Sequence, residues 1–303
     1  NSNYSFLKAD INDKSQIDKA LNNFKPSAII NFAAESHVDR SIDNPRSFID
    51  TNIIGTFELL NSSLNYYKNL DGSSQNEFRF LHISTDEVYG SLGYTGKFTE
   101  ETAYNPSSPY SASKAASDHL VKAWGRTYKL PILITNCSNN YGPFQFPEKL
   151  MPLVISNCIN HKPLPVYGKG DNVRDWIYVE DHCVGICTAL KNGTVGETYN
   201  IGGNQEFSNI YIVRKICNIL DELYPSDKIN NYDSLITFIE DRPGHDFRYA
   251  IDSSKIEELG FYPKETLESG LNKTISWYLN NLEWVDKINN GTYNQERLGL
   301  IKK

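Results

Sequence analysis

Two short segments hold most of the side chains that could do chemistry in this 303-residue chain: Ser84-Thr85-Asp86-Glu87-Val88-Tyr89-Gly90 and Tyr110-Ser111-Ala112-Ser113-Lys114. The first closes an apolar run, Phe80 to Ile83, and reads as the carboxyl end of a buried strand. The second opens a long helical pattern, which puts Tyr110 and Lys114 one turn apart on one face. Together they supply an acid, two bases and a cation, enough for an oxidation coupled to an elimination. Each also has an inert reading. Asp86 and Glu87 can cap a strand-to-loop turn, and Tyr110 can be a helix-start aromatic beside a solvated Lys114.

These groups need a scaffold, and the pattern around them supplies one. Residues 4–7 read as a short strand. Asp13 can cap a following helix that carries Ile17, Ala20, Leu21 and Phe24 on one face. Residues 28–32 read as a buried strand, 46–67 as a helix and 73–76 as a polar turn. The next strand covers 80–84, a long helix 108–129 and another strand 132–135. This rhythm of apolar strands and helices predicts an α/β fold, a doubly wound parallel sheet of Rossmann-like type with helices on both faces. Residues 1–142 form that domain. From 143 to 303 Pro and Gly become frequent, and the texture predicts a smaller mixed α/β substrate-binding lobe with some elements returning to the first domain. A doubly wound nucleotide fold normally opens with a strand, a glycine-rich turn and a helix that holds a pyrophosphate. No such fingerprint occurs, and the chain starts where a third strand is expected, so roughly fifty to sixty residues of a first βαβ unit are expected to be missing.

Composition narrows the function classes. Hydrophobic content of 39% and aromatic content of 12% fit a globular chain. A net charge of −7 gives no electrostatic case for nucleic acid or an anionic membrane, so an anionic substrate must be met by local Arg and Lys. No apolar stretch approaches the ~20 residues of a membrane span, and the N-terminus lacks a signal pattern; the chain reads as soluble and cytoplasmic. The five cysteines are scattered. Cys183 and Cys187, four apart on an expected helix, read as buried free thiols rather than a metal knuckle. His37, beside Glu35 and Asp39, suits cofactor and substrate contacts better than a metal, and no metal is expected.

A longer ordered set of motifs surrounds the two segments. It comprises Asn31-Phe-Ala-Ala-Glu-Ser-His-Val-Asp-Arg-Ser41, Thr51-Asn-Ile-Ile-Gly-Thr56 and Asn136-Cys-Ser-Asn-Asn-Tyr-Gly-Pro143, then Phe146-Pro-Glu-Lys-Leu150, Val173-Arg-Asp-Trp-Ile-Tyr-Val-Glu-Asp-His182 and Asp241-Arg-Pro-Gly-His245. With Ser84–Gly90 and Tyr110–Lys114, this set resembles the extended short-chain dehydrogenase/reductases. Within them it resembles the nucleotide-sugar 4,6-dehydratases that act on dTDP-glucose. The Tyr-x-x-x-Lys pair alone is weak; the Thr-Asp-Glu triplet is more specific, because the sugar-nucleotide epimerases of the superfamily lack the acidic pair.

The resemblance implies an NAD-dependent hydro-lyase that converts dTDP-glucose to its 4-keto-6-deoxy product. A hexose has no acidic C–H, so removal of water across C5 and C6 requires prior oxidation at C4. Tyr110 is then the base on the C4 hydroxyl, its phenolate favoured by Lys114, which also binds the nicotinamide ribose. Glu87 is the base at C5, Asp86 the acid at the C6 hydroxyl, and Thr85 steadies the C4 oxygen; neighbouring carboxylates resist double ionisation, so one can hold a proton near neutrality. The implied cofactor set is Asp10 and Ile11 at the adenine, Phe32, Ala33, Ala34, Glu35 and Ser36 after their strand, and Thr51, Tyr110, Lys114 and Asn140. The implied sugar-nucleotide set is Ser36, Thr85, Asn139, Lys149, Leu150, Pro165, Val166, Tyr167, Arg174, Asn209, Arg242 and His245. The arginines suit a diphosphate, although Arg174 can instead pair with Asp175 or Asp181. Two other readings stay open: a dehydratase or decarboxylase acting on GDP- or UDP-sugars, and a truncated, catalytically incompetent nucleotide-binding fragment. The helices over 46–67 and 108–129 resemble those of a family homodimer contact.

Overall fold

The computed structural model describes residues 4–291. Its central sheet is parallel, in the order β1 (Ala28–Asn31), β2 (Arg79–Thr85), β3 (Ile132–Cys137), β7 (Thr198–Ile201). The register pairs Asn31 with His82, and Thr85 with Cys137. β2 and β3 alternate between two cores, as a pleat with period two demands. Phe80, Ile132 and Ile134 face one cluster; Leu81 and Leu133 face the other.

The first cluster is covered by two long helices. One follows the short α2 (Val38–Asp43) after a break at Asn44, begins as α3 (Pro45–Phe48), widens into a π-helical stretch over Ile49–Gly55, and continues as α4 (Thr56–Lys68). After a short α5 (Gly72–Glu77), the second is α6 (Pro109–Tyr128). Sequence explains its ends. Ser108 accepts from Ser111 N at 3.1 Å while Ser111 Oγ accepts from Ser108 N at 3.0 Å, Pro109 occupies the first turn, and Lys129 closes the helix in the left-handed region. On the opposite face Ile186 and Ala189 of α8 (Val179–Asn192) and Ile256 of α10 (Ser254–Glu257) cover the sheet.

A second core lies under the remaining elements. α7 (Leu150–Ile159), α9 (Asn209–Leu223) and α11 (Leu267–Asn280), followed by α12 (Leu282–Gly291), enclose it with two small sheets: β4 (Asn139–Tyr141), β6 (Val173–Tyr178) and β8 (Glu206–Ser208), and β5 (Leu164–Tyr167) with β9 (Ile236–Ile239). No helix among the described residues is long and apolar enough to cross a membrane.

Several local expectations are corrected. Residues 4–7 form no strand: no neighbouring chain pairs with them, and Tyr4, Phe6 and Leu7 are exposed. α1 (Lys14–Phe24) is capped by Asp13 as expected, yet only Leu21 is buried and Phe24 is 70% exposed. β1 stops at Asn31 and is hydrogen-bonded only to β2 among the described residues, so Ile30 and Phe32 face outward. Residues 73–76 are helical, because Asp71 accepts from Ser74 N and nucleates a turn. Cys183 and Cys187 lie on the outward face of α8 and are exposed; Cys158 and Cys217 are the buried thiols in the second core.

Candidate active site

The site is built where β2 and β3 end. Thr85 is the last residue of β2, and Asp86–Tyr89 follow as one 3₁₀ turn, so successive side chains fan out by about 120°. Asp86 turns into the protein and is buried, whereas Glu87 turns into a cavity. Thr85 Oγ1 accepts from Glu87 N and donates to Asp86 Oδ1, both at 3.3 Å, which fixes the turn. Gly90 ends it at φ +89°, and a Cβ there would meet Asn105 O at 2.4 Å; no other residue fits.

Burial and crowding separate the two carboxyls. Asp86 is pushed well above the usual carboxylate range by burial, and Glu87 and Asp175 push it further. Burial also raises Glu87, but Arg242, Arg174 and Lys149 pull it back. Asp86 is therefore the group that holds a proton and Glu87 the group that can be ionised.

α6 brings Tyr110 and Lys114 to the same strand ends. Tyr110 is held above its ordinary value, first by burial and then by Glu87 and Cys137; the Thr85 hydroxyl opposes this. Lys114 Nζ donates to Ile83 O at 2.8 Å beneath it, and burial lowers its basicity against Asp118.

Glu87 opens into a cavity of about 530 Å³ between the two cores. Of the expected sugar-nucleotide residues, Ser36, Asn139, Lys149, Leu150, Pro165, Val166, Tyr167, Arg174, Asn209, Arg242 and His245 all line it; Thr85 stands behind its wall. They come from β4, β5, β6, the starts of α7 and α9, and loops. Lys149 Nζ donates to Ser36 O at 2.6 Å. The Arg174 guanidinium stacks 4.2 Å over the Tyr249 ring and donates to the main-chain oxygens of Val173 and Asp246; the alternative pairing with Asp175 or Asp181 is absent among the described residues. His245 is lowered to about 4 by burial and by Arg242 and Arg174, and His37 to about 4 by burial and Lys149. Lys149, Lys162, Arg174 and Arg242 line the cavity with Asp39, Glu87 and Glu148, four cations to three carboxylates in a chain of net charge −7, a local excess suited to an anion.

The expected cofactor residues are less gathered. Ser36 lines the cavity; Ala33, Ala34 and Glu35 form the loop that leaves β1, with Glu35 N donating to Asn52 Oδ1 and Ala33 N to Asn31 Oδ1. Phe32 points outward at 58% exposure. Thr51 lies in the π-helical stretch, and Ile11 presses against Gly55 of that stretch, while Asp10 accepts from Asn12 N at 2.9 Å. Asn140 Nδ2 donates to Ser138 O, and its Oδ1 is buried with no partner, as is Asn139 Oδ1.

Tyr249 escaped the sequence reading, whereas Asp39 and His37, read there as suited to cofactor and substrate contacts, gain defined partners. Asp39 accepts from Tyr167 OH at 2.9 Å and from Arg242 Nη1 at 2.8 Å, so it bridges the two walls of the cavity. Tyr249 carries Arg174 and is itself tied to Asp246. His37 caps α2 and lines the cavity. Asp39 was visible as an acid within the His-Val-Asp-Arg-Ser stretch, but nothing in sequence pairs it with residue 242. Among the described residues no group of three or more His, Cys, Asp or Glu is arranged to hold a metal.

Residues 1–274 match the family model described as GDP-mannose 4,6 dehydratase. A dTDP-glucose 4,6-dehydratase of Xanthomonas campestris pv. campestris is 55% identical over 300 residues, spanning 99% of this chain and 86% of that protein. The crystal structure of the Bacillus anthracis dTDP-glucose 4,6-dehydratase in complex with NAD superposes with a TM-score of 0.80 at 44% identity, covering 94% of this chain and 83% of that one. DesIV of Streptomyces venezuelae, a dTDP-glucose 4,6-dehydratase solved with NAD bound, gives 0.83 at 42% identity, with 93% and 82% covered.

Proposed function

The chain belongs to the dTDP-glucose 4,6-dehydratase family, and we propose that it converts dTDP-glucose to dTDP-4-keto-6-deoxyglucose with NAD as its cofactor. The observation that carries this reading is the convergence of Glu87 with Lys149, Arg174 and Arg242 on one cavity, directly in front of the buried Asp86 and Tyr110. The residues present fit the part of a dinucleotide that reaches the carboxyl ends of the strands. Asn139 Oδ1 and Asn140 Oδ1 are buried acceptors without partners at the carboxyl ends of the strands, and the Lys114 ammonium has a donor beyond the one given to Ile83 O.

When bound, NAD supplies a reversible hydride store, taking hydride from C4 and returning it at C6. Tyr110 takes the C4 hydroxyl proton while the Thr85 hydroxyl donates to that oxygen. The ketone acidifies the C5 hydrogen, which leaves as a proton to Glu87. The C6–O bond then breaks, and the Asp86 proton leaves with the hydroxyl as water. Protonation of C5 by Glu87 accompanies hydride return to C6; C4 stays a ketone, so the proton that Tyr110 took passes through solvent to restore Asp86, and the cycle is redox-neutral. Asp86 is suited to the acid role because burial and Glu87 keep it protonated. Lys149, Arg174 and Arg242 hold the diphosphate, with Asn209 and His245 beside them; Pro165, Val166 and Tyr167 present the wall to the base and ribose.

The chain acts in the cytoplasm, where free thiols such as its five stay reduced. It pairs as a homodimer through the helical segments over 46–67 and 108–129, where Ile54 of the π-helical stretch and Tyr128 of α6 are exposed.

Incubation of the NAD-loaded protein with dTDP-glucose tests the assignment. The expected result is a nucleotide product lighter by one water and carrying a ketone at C4. UDP-glucose and GDP-mannose run alongside should turn over far more slowly. Faster turnover of either would reassign the substrate, and no product from any of the three would overturn the reading.

A further inference from the structure

On the face of β2 that meets α6, Phe80 is followed by His82 and Ser84, so the apolar core beneath α6 gives way to a buried polar cluster below Lys114. A polar cluster in a core is costly unless fully partnered, and the reaction steps above use none of its members except Lys114. Asp118 lies one turn beyond Lys114 on α6 and is fully buried. Its Oδ2 accepts from Ser84 Oγ at 2.8 Å and from Tyr104 OH at 2.9 Å. Its Oδ1 has no hydrogen-bond partner and lies 3.5 Å from His82 Nε2, which in turn is 3.4 Å from Lys114 Nζ.

The hydrogen-bond network assigns the tautomer of His82. Ala33 N donates to Asn31 Oδ1, which turns Asn31 Nδ2 toward His82 Nδ1 at 3.2 Å as a donor. The neutral ring therefore carries its proton on Nε2, facing Ser117 Oγ at 3.1 Å. A protonated Nε2 cannot accept from Lys114. Nor does His82 take a charge of its own, since burial and then Lys114 hold it well below its ordinary value.

We propose that Asp118 is a positioning residue: the buried counter-charge that keeps Lys114 protonated and so sets the pH range in which Tyr110 can accept the C4 hydroxyl proton. This rests on the reading of Tyr110 as the base given above. The titratable groups facing Lys114 are Asp118 on its own helix, His82 on β2 and Cys137 on β3. His82 is neutral, and Cys137 is pushed up to about 12, chiefly by burial, and is a thiol at neutral pH. Asp118 is the one carboxylate among them. It faces Lys114 and Lys122 on α6, His82 and Ser84 on β2, and the Tyr104 and Tyr89 hydroxyls. Burial raises it, and Lys114, Ser84, Tyr104 and Lys122 all hold it back toward ionisation. Tyr110 in turn faces Glu87, Asp86, Cys137 and Thr85, of which the carboxylates and the thiol oppose the phenolate; Lys114, one turn further along α6, is the cation that the helix places to favour it.

Asp118→Asn keeps the shape and removes the charge. In protein labelled with ¹³C-lysine, with the Lys114 signal assigned by Lys114→Met, the Lys114 midpoint should fall by about one to three pH units. For single-turnover C4 oxidation of dTDP-xylose, which lacks C6 and so leaves the cofactor reduced, the acidic limb of the rate constant for NADH formation should move to higher pH while the substrate concentration giving half the maximal rate stays within about twofold. A folded Asp118→Asn protein with an unchanged lysine midpoint and an unchanged limb overturns the proposal. If that variant fails to fold, Tyr104→Phe decides: loss of one donor to Asp118 should move both readouts in the same direction by a smaller amount, and no movement overturns it. Failure of the wild-type chain to turn over dTDP-glucose would sink the function above, and the lysine midpoint would still judge the counter-charge.

Discussion

The two halves of the site are made in different ways. The acid–base half is compact in sequence: Thr85 ends β2, Asp86 and Glu87 follow it on one 3₁₀ turn, and Tyr110 and Lys114 share one turn of α6. The binding half is scattered, drawing Ser36, Lys149, Tyr167, Arg174, Asn209, and Arg242 with His245 from six separate segments. Chemistry tolerates little displacement and sits on rigid elements; recognition spreads over a surface and is held by cross-links such as Asp39 with Tyr167 and Arg242. If the halves are separable, lesions in one should leave the other measurable.

The largest expected effect is in the acid–base half. Glu87→Gln should lower formation of the 4-keto-6-deoxy product by roughly 10²–10⁴-fold while oxidation at C4 and dTDP affinity persist. The rate at which the C5 hydrogen exchanges with deuterated solvent is the check; exchange at the normal rate would remove Glu87 from its role, and lost nucleotide binding would show that the halves are not separable. Arg242→Met should do the reverse, weakening dTDP binding by about 1.5–3 kcal/mol, or roughly 10- to 150-fold, with kcat little changed. Because Asp39 then loses its partner, the double variant with Asp39→Asn, measured by calorimetry, separates the diphosphate contact from the orphaned carboxylate.

The smallest effect concerns the scaffold under both halves. His182, buried in α8, is lowered to about 4 by burial alone. Its folded value lies below the ordinary 6.5, so the unfolded chain takes up the proton first. The stability it contributes is present above about pH 6.5 and lost as pH falls toward 4, by at most ~1.4 kcal/mol per pH unit. Urea midpoints across that window should slope less steeply for His182→Gln than for the wild type; equal slopes would contradict the assignment.

The contiguous half was legible in sequence because strand period, helix period and motif coincide there. Phe80 to Ile83 announced a buried strand, and Ser108-Pro109 announced the start of α6. The scattered half was legible only through resemblance, since no local rule joins Arg174 to Tyr249 or Asp39 to Arg242. Misreadings fell at the sheet margin, where burial depends on what lies alongside. Residues 4–7 have strand-like composition but no ladder partner, and Phe24 and Phe32 read as core yet project beyond it. The turn at 73–76 became a helix because Asp71 supplied a cap that its Ser-rich composition concealed. Cys183 and Cys187 share one helix face, as their spacing implied, but that face is the outer one.

The 3₁₀ turn after β2 has an evolutionary corollary. Because Asp86 and Glu87 take directions about 120° apart from their order on a three-residue-per-turn helix, one residue added just before Asp86 would rotate both carboxyls by about a third of a turn. Such an insertion would carry both away from the positions they now hold without altering either residue type. Drift in this segment is therefore confined to point substitution, and its length should be far more constant among descendants than its composition.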